Sequence, residues 1–117
     1  MKEITSIDEL NECLEGTSER PVFIFKHSTR CPISAGANSR VAKFIESKND
    51  ENGGVLEFYL LKVVESRAVS NALAEQLGVA HQSPQLILID KGRSIWNTSH
   101  NNINAGNIEK AIQSAAA

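Results

Sequence analysis

Residues 21–25 read Pro-Val-Phe-Ile-Phe, apolar at every position and not at every second one. Side chains of a strand point alternately to opposite faces, so an unbroken apolar run fits a strand buried on both. That calls for a sheet covered by a layer of structure above and another below. The run leads through Lys26-His-Ser-Thr-Arg into Cys31-Pro32. Proline is favoured at the first helical position, where its missing N–H would have had no helical partner, so a helix is expected to open at Pro32.

The rest of the chain supplies the covering layers. Ser6 and Glu9 form a capping-box pattern, with Ile7, Leu10 and Leu14 at helical spacing, which predicts a first helix over 6–16 ending at Gly16. Val41, Phe44 and Ile45 mark the inner side of a helix over about 32–48, and Asn52-Gly53-Gly54 breaks the chain. A second strand is expected over 55–64. Ser66 opens a third helix with Val69, Leu73 and Leu77 inward and Gly78 closing it. Gln85–Asp90 reads as a third strand. Lys91-Gly92 is a turn signal, and 94–98 returns as a fourth strand in a hairpin. Asn104 or Asn107 starts the last helix. Helix-separated strands pair parallel through right-handed crossovers. The expected architecture is one α/β domain over 1–117. Its four-stranded mixed sheet is flanked by helices on both faces, with an extra N-terminal helix. The order resembles the thioredoxin and glutaredoxin core.

A net charge of −2 argues against a nucleic-acid surface. The acidic start MKEITSIDEL has no signal-peptide apolar core, and no apolar run reaches membrane-spanning length, so a cytoplasmic location without membrane contact is expected. In a reducing cytoplasm two cysteines call for a reactive, metal-binding or merely buried thiol before a structural disulfide. Two cysteines and three scattered histidines make no metal-site pattern.

Cys31 is the candidate catalytic residue. At a helix N-cap its sulfur meets the unpaired amides and positive dipole end of the helix, both of which favour thiolate over thiol. Hydrogen bonds from Thr29 or Ser34, and the charges of Arg30 or Lys26, would add to this. His27 ends the strand as a polar boundary residue that is placed to assist. Cys13, beside Leu10 and Leu14 and without a basic neighbour, reads as buried. Ser34 occupies the second position of a C-x-x-C pair, and a hydroxyl cannot close a disulfide. A mixed disulfide on Cys31 must therefore be resolved by an external thiol. Ahead of the third strand, His81-Gln-Ser-Pro-Gln85 places Pro84 at the strand's first position, where no ladder hydrogen bond is lost. A cis Ser83–Pro84 bond there would leave the Ser83 backbone open to pair with an extended thiol substrate.

HSTRCPIS at 27–34, together with HQSPQ at 81–85 and the late segment IDKGRSIWNTSHNNIN, resembles the YtxJ-like monothiol bacilliredoxins over nearly the whole chain. The resemblance implies a thioredoxin-like fold and a thiol-disulfide oxidoreductase. In that reading Cys31 takes bacillithiol from S-bacillithiolated proteins into a mixed disulfide, and a second bacillithiol or a partner reductase regenerates it. Bacillithiol is then a co-substrate, with no permanently bound cofactor. Thr29, Arg30, Pro32, Ser34, Ser83 and Pro84 are the expected thiolate-stabilising or substrate-positioning residues. Bacillithiol carries a malate group, which makes contacts to Arg30, Lys26 or Arg67 chemically reasonable. Trp96 reads as hairpin packing. Two other readings share the cysteine: a redox sensor modified at Cys31, and an iron–sulfur carrier resembling monothiol glutaredoxins, whose C-G-F-S differs at Pro32 and Ile33. Phosphatase or arsenate reductase chemistry would call for C-x5-R, and Ala37 stands where that arginine belongs.

Overall fold

The computed structural model describes residues 1–49 and 57–116. The elements are β1 (Lys2–Glu3), α1 (Ile7–Gly16), β2 (Val22–His27), α2 (Pro32–Asn49), β3 (Glu57–Lys62), α3 (Arg67–Leu77), β4 (Gln85–Asp90), β5 (Arg93–Ser99), a short 3-10 turn (His100–Asn102) and α4 (Ala105–Ala116). The expected break at 52–54 and positions 55 and 56 of the expected second strand lie outside the described residues.

The strands form one sheet in the order β1-β3-β2-β4-β5, with β3 parallel to β2, β4 antiparallel to it, and β5 antiparallel to β4. The expected count of four strands is corrected to five. Lys2 and Glu3 add a parallel edge strand against Tyr59 and Leu60. Two charged residues carry no apolar period, so only pairing defines this strand, and charge suits an exposed edge.

β2 lies at the centre, and every one of its residues is buried. Phe23 and Phe25 pack with Ala37, Val41 and Phe44 of α2 and with Ile108 and Ala111 of α4. Val22 and Ile24 face the other way, toward Leu10 and Cys13 of α1 and Val69 and Leu73 of α3. The two apolar sets of one strand thus recruit two helices each. Phe23 also stacks on Phe58 at 4.4 Å between ring centroids and meets the edge of Trp96 at 6.2 Å, so Trp96 packs under the hairpin as read from sequence.

The ends follow local chemistry. The Glu9 amide donates to Ser6 Oγ (3.1 Å), while the Glu9 carboxylate reaches one residue past the standard box to the Thr5 amide (2.9 Å). Gly78, at φ 64°, closes α3 in the left-handed conformation that glycine adopts without Cβ strain. Ser66 precedes α3 without a side-chain capping bond. Lys91 and Gly92 both have positive φ and turn β4 into β5, as a two-residue hairpin requires.

Candidate active site

The site is built where β2 runs out. After His27 the chain makes a turn in which the Cys31 amide donates to the Ser28 carbonyl (3.3 Å). The Cys31 carbonyl then accepts from the Ala35 amide at 3.0 Å. A residue whose carbonyl takes the first intrahelical bond is the N-cap, so Cys31 is the N-cap of α2 and Pro32 is its first helical residue. An N-cap side chain lies where the unpaired first-turn amides point, and the dipole of an 18-residue helix adds positive potential there. Cys31 is partly exposed and Cys13 is buried.

Ser34, three residues on, is fully buried. Its Oγ accepts from the Ser28 amide (2.9 Å) and lies 2.7 Å from His27 Nδ1. The hydroxyl thus staples the first turn of α2 to the end of β2, across the turn that carries Cys31. His27 is itself buried, stacked on Phe25 at 5.6 Å. Burial lowers its pKa, with Lys62 pushing the same way and Glu65 opposing. Its imidazole is therefore held toward the neutral form, able to share one proton with Ser34. The sequence placed His27 at a polar boundary, and the structure makes it Ser34's partner.

Thr29 and Arg30 are exposed at the crest of the turn. Thr29 Oγ1 donates to Glu65 Oε2 at 2.8 Å, which fastens the turn to the segment after β3. Glu65 is held below the ordinary carboxylate range chiefly by that hydrogen bond, with the charges of Lys62 and Arg30 contributing. Local sequence carries no signal for Glu65, because its partner lies 36 residues away.

Ser83 and Pro84 arrive from the opposite direction. Lys26 pairs with Gln85 at the last rung of the β2–β4 ladder, so one step further sets Pro84 beside His27, next to the Cys31 turn. The Ser83–Pro84 peptide is cis, and the Pro84 carbonyl accepts from the His100 amide at 3.1 Å. Gln85 braces the approach: its Nε2 donates to the Ala80 carbonyl (3.2 Å) and its Oε1 accepts from the Gln82 amide (3.4 Å).

Lys26 is the residue whose environment the sequence did not announce. It is fully buried, and its Nζ has no hydrogen-bond partner. Burial lowers its pKa to about 8. An unfolded lysine keeps its proton to about pH 10.4. Between those values the unfolded chain binds more protons, so folding stability rises with pH across that window. Lys26→Met is expected to flatten this rise in urea titrations between about pH 7.5 and 9.5. An equally steep rise in the variant would place its origin elsewhere.

The N-cap Cys31, the cis Ser83–Pro84 turn and the end of the central strand β2 meet at one end of the sheet. The model of the monothiol bacilliredoxin BrxC matches residues 2–108. The chain belongs to the monothiol bacilliredoxin family. A solved structure with a thioredoxin fold is 32% identical, with a TM-score of 0.81, covering 94% of this chain and 91% of that one. Thioredoxin of Fasciola hepatica (13% identity, TM-score 0.74, covering 98% and 99%) and mitochondrial thioredoxin 3 of Saccharomyces cerevisiae (18%, 0.71, 97% and 94%) share the fold. Membership in the bacilliredoxin family makes the chemistry of the chain thiol redox chemistry. Among the described residues no helix is long and apolar enough to cross a membrane.

Proposed function

We propose that this bacilliredoxin removes bacillithiol from S-bacillithiolated proteins by passing it through Cys31. The Cys31 thiolate attacks the bacillithiol sulfur of the protein mixed disulfide. An S–S bond forms between Cys31 and bacillithiol as the protein–bacillithiol bond breaks, and the protein leaves as a thiolate that takes up a proton. A second bacillithiol thiolate, or a partner reductase, then attacks the adduct and returns Cys31 to the thiolate. With bacillithiol the oxidised product is bacillithiol disulfide. A cytoplasmic setting supplies the reducing thiol pool this cycle needs.

The observation that carries this reading is the pairing of an N-cap Cys31 with a buried Ser34 in the resolving position. The first favours attack, and the second leaves the adduct waiting for an outside thiol. Intact mass spectrometry of wild-type protein mixed with an S-bacillithiolated protein tests it. One bacillithiol should move to Cys31 per target thiol freed, and added bacillithiol should make the release catalytic. Absence of the adduct would overturn the proposal. At most one release per molecule with bacillithiol present would instead make Cys31 a sensor.

A further inference from the structure

Among the described residues, three buried side-chain polar atoms have no hydrogen-bond partner: Lys26 Nζ, Ser70 Oγ and Ser83 Oγ. Buried polar groups in folded proteins are nearly always paired, and a buried ammonium without a partner is the costliest exception. The three come from elements that converge on one end of the sheet. Lys26 follows Val22 and Ile24 at a spacing of two, so it points to the face covered by α1 and α3. Ser70 is buried in the first turns of α3, between inward-facing Val69 and Leu73. Ser83 stands two residues before Gln85, the cross-strand partner of Lys26.

Two exposed basic residues, Arg67 at the first position of α3 and His81 before the cis-proline turn, complete the group. Partial burial lowers the His81 pKa, and the charges of Lys26 and Arg67 lower it further, so His81 lies within electrostatic reach of both. α3 also begins without a side-chain cap at Ser66, so its first amides add positive potential at this end.

We propose that Lys26, Arg67 and His81, with the hydroxyls of Ser70 and Ser83, form a carboxylate-binding subsite that selects a dicarboxylate-bearing small thiol in the disulfide presented to Cys31. Arg67 draws the anion in from the surface, the neutral His81 ring can donate one N–H to it, and a carboxylate gives Lys26 the counter-charge it lacks. The malyl group of bacillithiol supplies such carboxylates. The subsite rests on the reading of Cys31 as the acceptor of bacillithiol, and it adds which part of the transferred thiol is recognised and by which residues.

The test compares two mixed disulfides of one reporter protein, one with bacillithiol and one with uncharged β-mercaptoethanol. Wild type should transfer bacillithiol at least tenfold faster. Lys26→Met, which fills the same buried space with an apolar side chain, should lose at least tenfold on the bacillithiol adduct. On the β-mercaptoethanol adduct its loss should be at least fivefold smaller than on the bacillithiol adduct, with a thermal midpoint no lower than wild type. Arg67→Gln, on the exposed surface, should lose severalfold on the bacillithiol adduct alone. Equal losses on both adducts would make Lys26 a support of the fold or of the thiolate and overturn the subsite. No loss on either would overturn it as well. Wild type that reacts with neither adduct would instead sink the role assigned to Cys31.

Discussion

Cys31→Ala is expected to abolish release of bacillithiol from modified proteins, a loss of at least about 10³-fold, and to accept no adduct. Cys13, the second cysteine of the chain, cannot take over. It is buried on the α1 face of the sheet core, in one cluster with Leu10 and Ile24. Burial, with the nearby charge of Glu57, pushes its thiol up to about 11. At pH 7.5 a thiol of that kind is ionised in on the order of one molecule in 10³ to 10⁴. Cys31, by contrast, is partly exposed, caps an 18-residue helix and is followed by a proline. The variant should fold normally, since removing one partly exposed sulfur from an N-cap costs about 1 kcal/mol at most. The check is the target thiol freed per minute by the variant and by wild type, with thermal midpoints measured alongside. Residual turnover above one hundredth of wild type would show that another group carries the reaction. An adduct located on Cys13 would show that α1 opens far enough to expose it.

What could be read in advance divides along physical lines. β2 was legible because burial on both faces removes the usual alternation, and four consecutive apolar residues record that directly. The hairpin was legible because Lys91-Gly92 must both take positive φ, a demand that local residue chemistry expresses. Cys31-Pro32 was legible for the same reason, as a proline at a first helical position. β1 was not, since two residues paired to Tyr59 and Leu60 depend on a partner far along the chain. In the sequence, Lys26 is one of several basic residues near the cysteine. Its burial comes from the register that sets it beside Gln85 and from the α3 crossover above it, and neither is encoded within five residues of it. Ser34 shows the limit most clearly. A serine in the first turn of a helix has a hydroxyl to offer, and only the return of the helix onto the strand end decides that Ser28 and His27 receive it.

That decision has a measurable consequence. Ser34→Ala leaves the Ser28 amide and His27 Nδ1 without the oxygen that joins them, and His27 is only 8% exposed. An unsatisfied buried polar group costs about 1–3 kcal/mol, so with Ser28 partly reached by water the variant should lose about 2–3 kcal/mol of stability. The turn between them holds Cys31, so adduct formation should slow as well, although no atom that reacts has been touched. Ser34→Cys separates the two roles of the position. Sulfur is a weak acceptor, so this variant should also lose stability. It adds an internal thiol that can attack the bacillithiol adduct and close a disulfide with Cys31, which should shorten the adduct lifetime. Denaturant unfolding reports the first effect and time-resolved intact mass the second. A Ser34→Ala variant within about 0.5 kcal/mol of wild type would show that the staple contributes nothing to the fold. If the adduct lives as long in Ser34→Cys as in wild type, the two positions do not approach closely enough for exchange. If both expectations are met, serine at this position does two things at once: it holds the turn that aims the sulfur, and it withholds the thiol that would end the reaction internally.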